Sequence, residues 1–164
     1  MPAPFEKTIS DRTVLVFDPD EFELSIIRQI FRTLAIEKAY ESKEAADALA
    51  ILNHRRPDIL IVGLSDKNPG SLDFIRQVRA EDQSECRNIP LLALMHTPTA
   101  AEILEARDAG VTEIAVLPLS ADILGKRLRA MIFQPRPFIE AEAFIGPDRR
   151  RRADSAVEDE RRSS

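Results

Sequence analysis

Cysteine is nearly absent from the sequence: Cys86 is the single one among 164 residues. No internal disulfide can form, and no thiolate cluster can hold a metal within one chain. Long apolar runs are missing as well, so no stretch reads as a membrane-spanning helix. The first residues, "MPAPFEKTISDR", lack the apolar segment of a secretory signal, which makes the cytoplasm the expected location. Nor is there an excess of positive charge. The formal net charge is -5 at pH 7, which excludes a protein that coats nucleic acid through a global positive field. Any recognition of anions must therefore be local.

What the sequence does have is a hydrophobic content of 44%, enough for one domain with a proper core. Residues 13–17 (TVLVF), 58–62 (DILIV), 89–95 (IPLLALM) and 112–117 (TEIAVL) are short, apolar segments, the pattern of strands covered on both faces. A weaker strand is expected at 36–40 (IEKAY). Between them lie helical periods. Ile27, Ile30, Phe31 and Leu34 draw one buried stripe, and Asp20 with Glu23 predicts a capping box at the start of that helix. Further helices are expected at 43–54, 72–80, 100–109 and 121–131, the fourth stopped by Gly110 in a left-handed conformation.

Strict alternation of strand and helix implies parallel strands joined by right-handed crossovers. The expected fold is α/β: a doubly wound, flavodoxin-like, five-stranded parallel sheet with five helices. Ligands and chemistry collect beyond the carboxyl ends of such strands, here Asp18, Gly63, Met95 and Leu117. The domain is expected to span residues 11–133. Residues 134–164 change character, with three prolines and dense charge, and are expected to form an arginine-rich arm, largely disordered without ligand.

"VLVFDPD" after the first strand, "SLDFIRQVR" opening the third helix and "AGVTEIAVLPL" at the fifth strand resemble the CheY-like receiver domain of two-component response regulators. Receivers move a phosphoryl group onto an aspartate, using an acidic pair that holds a divalent cation, a hydroxyl residue and a lysine. The resemblance puts the acidic pair on Asp18 and Pro19, the nucleophile on Gly63, the hydroxyl on Met95 and the lysine on Leu117, with Pro118 matching the proline that follows. The family's reporting aromatic corresponds to Ile114. Glycine has no side chain to phosphorylate, so the expectation is a pseudo-receiver, with no enzyme and no bound metal indicated. Asp66, three residues on, would lack a lysine, a hydroxyl and a full metal pair to activate it. His96 reads as a loop histidine rather than a base.

Signal must then enter elsewhere, and the arm is the candidate. "GPDRRRRAD" resembles the arginine-rich segment of CheY-like effectors that bind cyclic di-GMP, and Arg151 to Asp154 has the Arg-x-x-Asp spacing of the inhibitory cyclic di-GMP site of diguanylate cyclases. The chemistry suits that ligand. An arginine fork pairs with guanine O6 and N7, guanidinium planes stack on bases, and a carboxylate accepts from the guanine N1–H and N2–H edge. The expected ligand residues are Asp148, Arg149, Arg150, Arg151, Arg152 and Asp154, with Gly146 and Pro147 shaping a turn, Phe144 covering a base and Arg136 supplying a further fork. An arm ordered by ligand would present Phe138, Ile139, Phe144 and Ile145 to a protein partner of the motility, adhesion or histidine-kinase type. Three alternatives remain. The run can be a solvated charged tail, a view "EDERR" at 158–162 favours. It can bind nucleic acid, against the repulsion of its flanking acids. Or the chain is a pure protein adaptor, meeting partners through the face of its fourth helix, fifth strand and fifth helix.

Overall fold

The computed structural model describes residues 8–81, 85–134, 138–141 and 144–147, the last two stretches as backbone. Five strands, β1 (Val14–Phe17), β2 (Ala39–Ser42), β3 (Ile59–Leu64), β4 (Leu91–His96) and β5 (Glu113–Leu117), form one parallel sheet in the order β2-β1-β3-β4-β5. Between them run α1 (Glu21–Thr33), α2 (Ala45–Arg55), α3 (Gly70–Ala80), α4 (Ala100–Ala109) and, last, α5 (Ala121–Phe133). The expected flavodoxin-like architecture is the observed one.

The period of a strand sorts its side chains between two cores. Leu15, Phe17, Leu60 and Val62 pack with α2, α3 and α4, while Val14, Val16, Ile59 and Ile61 pack with α1 and α5. Strands β1 and β3 are buried throughout, because helices cover both faces, whereas the edge strands β2 and β5 are partly exposed.

Local signals held where backbone chemistry fixed them. Helix α4 has the expected bounds and ends at Gly110 with φ 109°, a left-handed conformation that a residue with a Cβ adopts poorly. The expected capping box on α1 does not form: Asp20 caps the helix by accepting from Phe22 N–H at 2.8 Å, but Glu23 is drawn elsewhere. A complete capping box stands at α4 instead, between Thr99 and Glu102. Strand β2 lies three residues later than expected at its start. Ile36 is buried in the core on the α1 side, its amide donating to Phe31 O at 2.9 Å, so it closes the helix rather than opening the strand.

Arg79, at the end of α3, is 2% exposed. Its Nε donates to Gly110 O at 2.8 Å, Nη1 to Arg87 O at 2.7 Å and Nη2 to Thr112 Oγ1 at 3.4 Å. One guanidinium thus ties α3 to the turn before β4 and to the α4–β5 connection.

The periodicity of the sequence predicts no secondary structure after Phe133. The backbone there forms an antiparallel hairpin, β6 (Phe138–Ala141) with β7 (Phe144–Pro147), in the register Phe138↔Pro147 and Ala141↔Phe144. Strand β7 runs beside α3 and α4. Gly146 and Pro147 therefore belong to a strand and not to the turn expected of them.

Candidate functional site

The strand order reverses between β1 and β3, and the crevice beyond the strand ends opens there. A cleft of about 620 Å³ occupies this place. Asp18, Gly63, Met95 and Leu117, the four strand ends singled out in the sequence, all line it. Met95 and Leu117 bring apolar side chains, each 6% exposed, to the positions where the resemblance called for a hydroxyl and an ammonium. The Leu117–Pro118 bond is cis.

Asp18 follows β1 directly and is 5% exposed. Its Oδ1 accepts the Asp20 amide at 2.9 Å. Burial pushes its carboxyl up to about 6, opposed by that amide and reinforced by the charges of Glu23 and Asp20; His96 works in the other direction. The carboxyl fills space that would otherwise belong to residue 63. A Cβ on Gly63 would stand 1.9 Å from Asp18 Oδ2 and 2.5 Å from its Cγ. Asp18 sits as it does because residue 63 has no side chain.

A divalent cation, which the resemblance implies for receivers, does not fit these residues. Pro19 offers no carboxylate, Gly63 offers none, and among the described residues no three His, Cys, Asp or Glu side chains are gathered closely enough to hold an ion. Asp66 lies exposed on the β3–α3 loop with Ser65, Lys67 and Asn68, all lining the cleft. We expect no labile phosphoprotein after incubation with a small-molecule phosphodonor and magnesium, read by mass spectrometry; a phosphorylated Asp66 would show that a substitute acceptor works. Gly63→Asp should not restore phosphorylation and should lower stability by about 1–3 kcal/mol, the usual cost of overpacking, measured by denaturant unfolding.

Local sequence patterns do not reveal the pair that bridges the cleft mouth. His96 ends β4, and its Nε2 lies 2.6 Å from Glu23 Oε1 of α1. The contact joins residues 73 positions apart, so no local pattern announces it, and it engages the Glu23 carboxylate that the expected capping box would have used. Thr97, next in the chain, has φ 35°, an unfavourable conformation for a β-branched residue, and it too lines the cleft.

Of the expected ligand residues, Phe144, Gly146 and Pro147 lie on β7. Arg136, Asp148, Arg149, Arg150, Arg151, Arg152 and Asp154 lie outside the described residues.

No family model matches the chain. It is 25% identical over 115 residues to the chemotaxis protein CheY of Pseudomonas aeruginosa, covering 70% of this chain and 91% of that protein. Among solved structures, the Vibrio cholerae chemotaxis protein CheY4 superposes with a TM-score of 0.62 at 24% identity, over 72% of this chain and 96% of that one. The signal receiver domain of a signal transduction histidine kinase from Syntrophus aciditrophicus gives a TM-score of 0.64 at 14% identity, over 81% of this chain and 99% of that one. The fold is that of a CheY-like receiver, and the sequence similarity points to the same response-regulator signalling proteins. No helix among the described residues is long and apolar enough to cross a membrane.

Proposed function

We propose that this chain is a phosphorylation-independent signalling effector that binds cyclic di-GMP through Asp148 to Asp154 and passes the signal to a protein partner. The observation that carries the reading is Asp18 lying in the space of a residue-63 side chain. A receiver body built this way has no aspartyl switch, so its input must come from another ligand. The run "GPDRRRRAD" supplies the chemistry for one. Each arginine fork on guanine O6 and N7 contributes about 1–3 kcal/mol of discrimination. Asp148 and Asp154 flank the forks with acceptors for the guanine N–H edge.

The test is calorimetric titration of cyclic di-GMP into the full chain. Micromolar or tighter binding is expected, weakened roughly tenfold or more by Arg149→Ala or Asp154→Ala, a loss of about 1.4 kcal/mol each. The melting temperature should stay within a degree or so of the parent, since both positions lie in sequence beyond α5, the last element of the sheet domain. Equal affinity in both variants would move the ligand off the arm, and no heat at all would end the reading.

A second reading, an adaptor without nucleotide, is favoured by one specific observation. Leu104 on α4, Val116 on β5 and Ile123 on α5 are 55%, 47% and 47% exposed. Exposed large apolar side chains on these three elements suit a protein partner. Loss of partner binding on Val116→Lys, in a chain that gives no heat with cyclic di-GMP, would leave this reading standing.

A further inference from the structure

The short connection from β4 to α4, Thr97 to Thr99, is held in a conformation its first residue disfavours. Thr97 has φ 35°. That value is unfavourable twice over: the residue is β-branched, and it precedes Pro98, whose ring pushes the residue before it toward extended backbone. Backbone held in this way relaxes unless its neighbours fix it. On one side α4 is fixed by its capping box, Thr99 with Glu102. On the other, His96 stands opposite Leu117 in the β4–β5 ladder, and its ring Nε2 lies 2.6 Å from Glu23 Oε1. The ring contact ties the connection to α1 across the mouth of the cleft.

The two partners differ in exposure. The Glu23 side chain is 15% exposed and that of His96 53%, so the carboxylate is largely withdrawn from water while solvent reaches the imidazole. Other carboxylates surround the pair. Asp18 and Asp20 come from the β1–α1 turn, and Glu102 and Glu105 from α4. The β3–α3 loop adds Asp66 and one opposing cation, Lys67. With His96 charged, Glu23 has a counter-ion among these acids. With His96 neutral, it keeps at most a hydrogen bond without the Coulomb attraction. Histidine changes its charge between about pH 5 and 8. Burial, which raises the Asp18 carboxyl to about 6, places a second charge change in that range, and as pH rises it adds a negative charge to the floor of the cleft near Glu23.

We propose that His96 and Glu23 form a proton-operated latch on the β4–α4 connection. At low pH the imidazolium holds Glu23, the strained turn at Thr97 is kept, and the start of α4 is drawn toward α1. As pH rises the imidazolium gives its proton to water and the attraction ends. The crowded carboxylates then repel one another, and Thr97 relaxes toward extended backbone, carrying the first turn of α4 away from α1. Leu104, exposed on α4, moves with that helix. The latch thus gives a receiver body without an aspartyl switch two settings of α4, chosen by pH. Neither a nucleotide nor a phosphoryl group takes part in it.

The experiment follows the backbone amides and the His96 ring of the full chain by NMR from about pH 5 to 8, without nucleotide, in the parent and in His96→Ala, Glu23→Gln and Asp18→Asn. In the parent, the His96 ring and the amides of Thr97, Glu102 and Leu104 are expected to share one titration, while Val14 and Ile59 at the opposite end of the sheet stay in place. His96→Ala should hold the Glu102 and Leu104 amides near the parent's high-pH positions throughout. Glu23→Gln should lower the proton affinity of His96 roughly three- to tenfold, as expected when a carboxylate in contact loses its charge, and should uncouple those amides from the ring. Asp18→Asn should leave the shared titration in place. A response confined to His96 and Thr97, with Leu104 unmoved, would overturn the proposal, because the pair would then be a static contact. So would α4 amides that titrate in His96→Ala but fall silent in Asp18→Asn, which would make Asp18 the sensor.

Discussion

Arg79→Ala is expected to lower the stability of the domain by about 3–5 kcal/mol, as expected when a large buried side chain is removed and its acceptors are orphaned. The loss has two parts. Gly110 O and Arg87 O, which accept from Arg79 at 2.8 and 2.7 Å, are deprived of that charged donor inside the protein. The volume of one of the largest fully buried side chains is left behind as a cavity. Arg79→Lys should recover less than half of the loss, because a single ammonium cannot reach carbonyls on the α4–β5 connection and the turn before β4 together with the Thr112 hydroxyl. Urea unfolding of the three proteins checks this. Stability within about 1 kcal/mol of the parent for Arg79→Ala, the range of an ordinary surface change, would show that the latch is dispensable.

The second large effect concerns Asp18 and depends on pH. Its carboxyl is raised from 3.8 to about 6, chiefly by burial. In the unfolded chain it titrates near 3.8, so between these values the folded state binds more proton than the unfolded one. Stability must therefore fall as pH rises through that window. The favourable contribution is complete below about 3.8 and is lost as pH climbs through about 6. Asp18→Asn keeps the acceptor for the Asp20 amide and never ionises. The variant should be more stable than the parent by about 2–3 kcal/mol at pH 7.5, since each tenfold change in proton affinity between the two states corresponds to roughly 1.4 kcal/mol. The gain should vanish near pH 4. A gain that is the same at both pH values would mean that repacking, not ionisation, separates the two proteins.

The sheet was legible in the sequence because its central strands are buried on both faces and read as unbroken apolar runs. Val14 to Phe17 and Ile59 to Val62 could hardly be anything else. Helix α4 was placed to the residue, its end marked by Gly110, while the Thr99–Glu102 capping box that opens it went unread. Edge strand β2 was placed too early because Ile36 is as apolar as a strand residue, while its burial comes from the end of α1. The hairpin of β6 and β7 escaped because two four-residue strands interrupted by charge have no period long enough to stand out. At the cleft, the four strand-end positions followed from the alternation of elements. The Glu23–His96 pair and the collision between a residue-63 Cβ and Asp18 did not, since each joins segments far apart in the chain and exists only once the sheet has closed.

The most direct measurement is a titration of cyclic di-GMP into the isotope-labelled full chain, followed through the backbone amides. The expected result is saturable movement of the resonances from Phe144 to Asp154, with Arg149 to Arg152 among the most affected. Nucleotide that leaves every resonance beyond Gln134 unmoved would contradict an effector role carried by the arginine run.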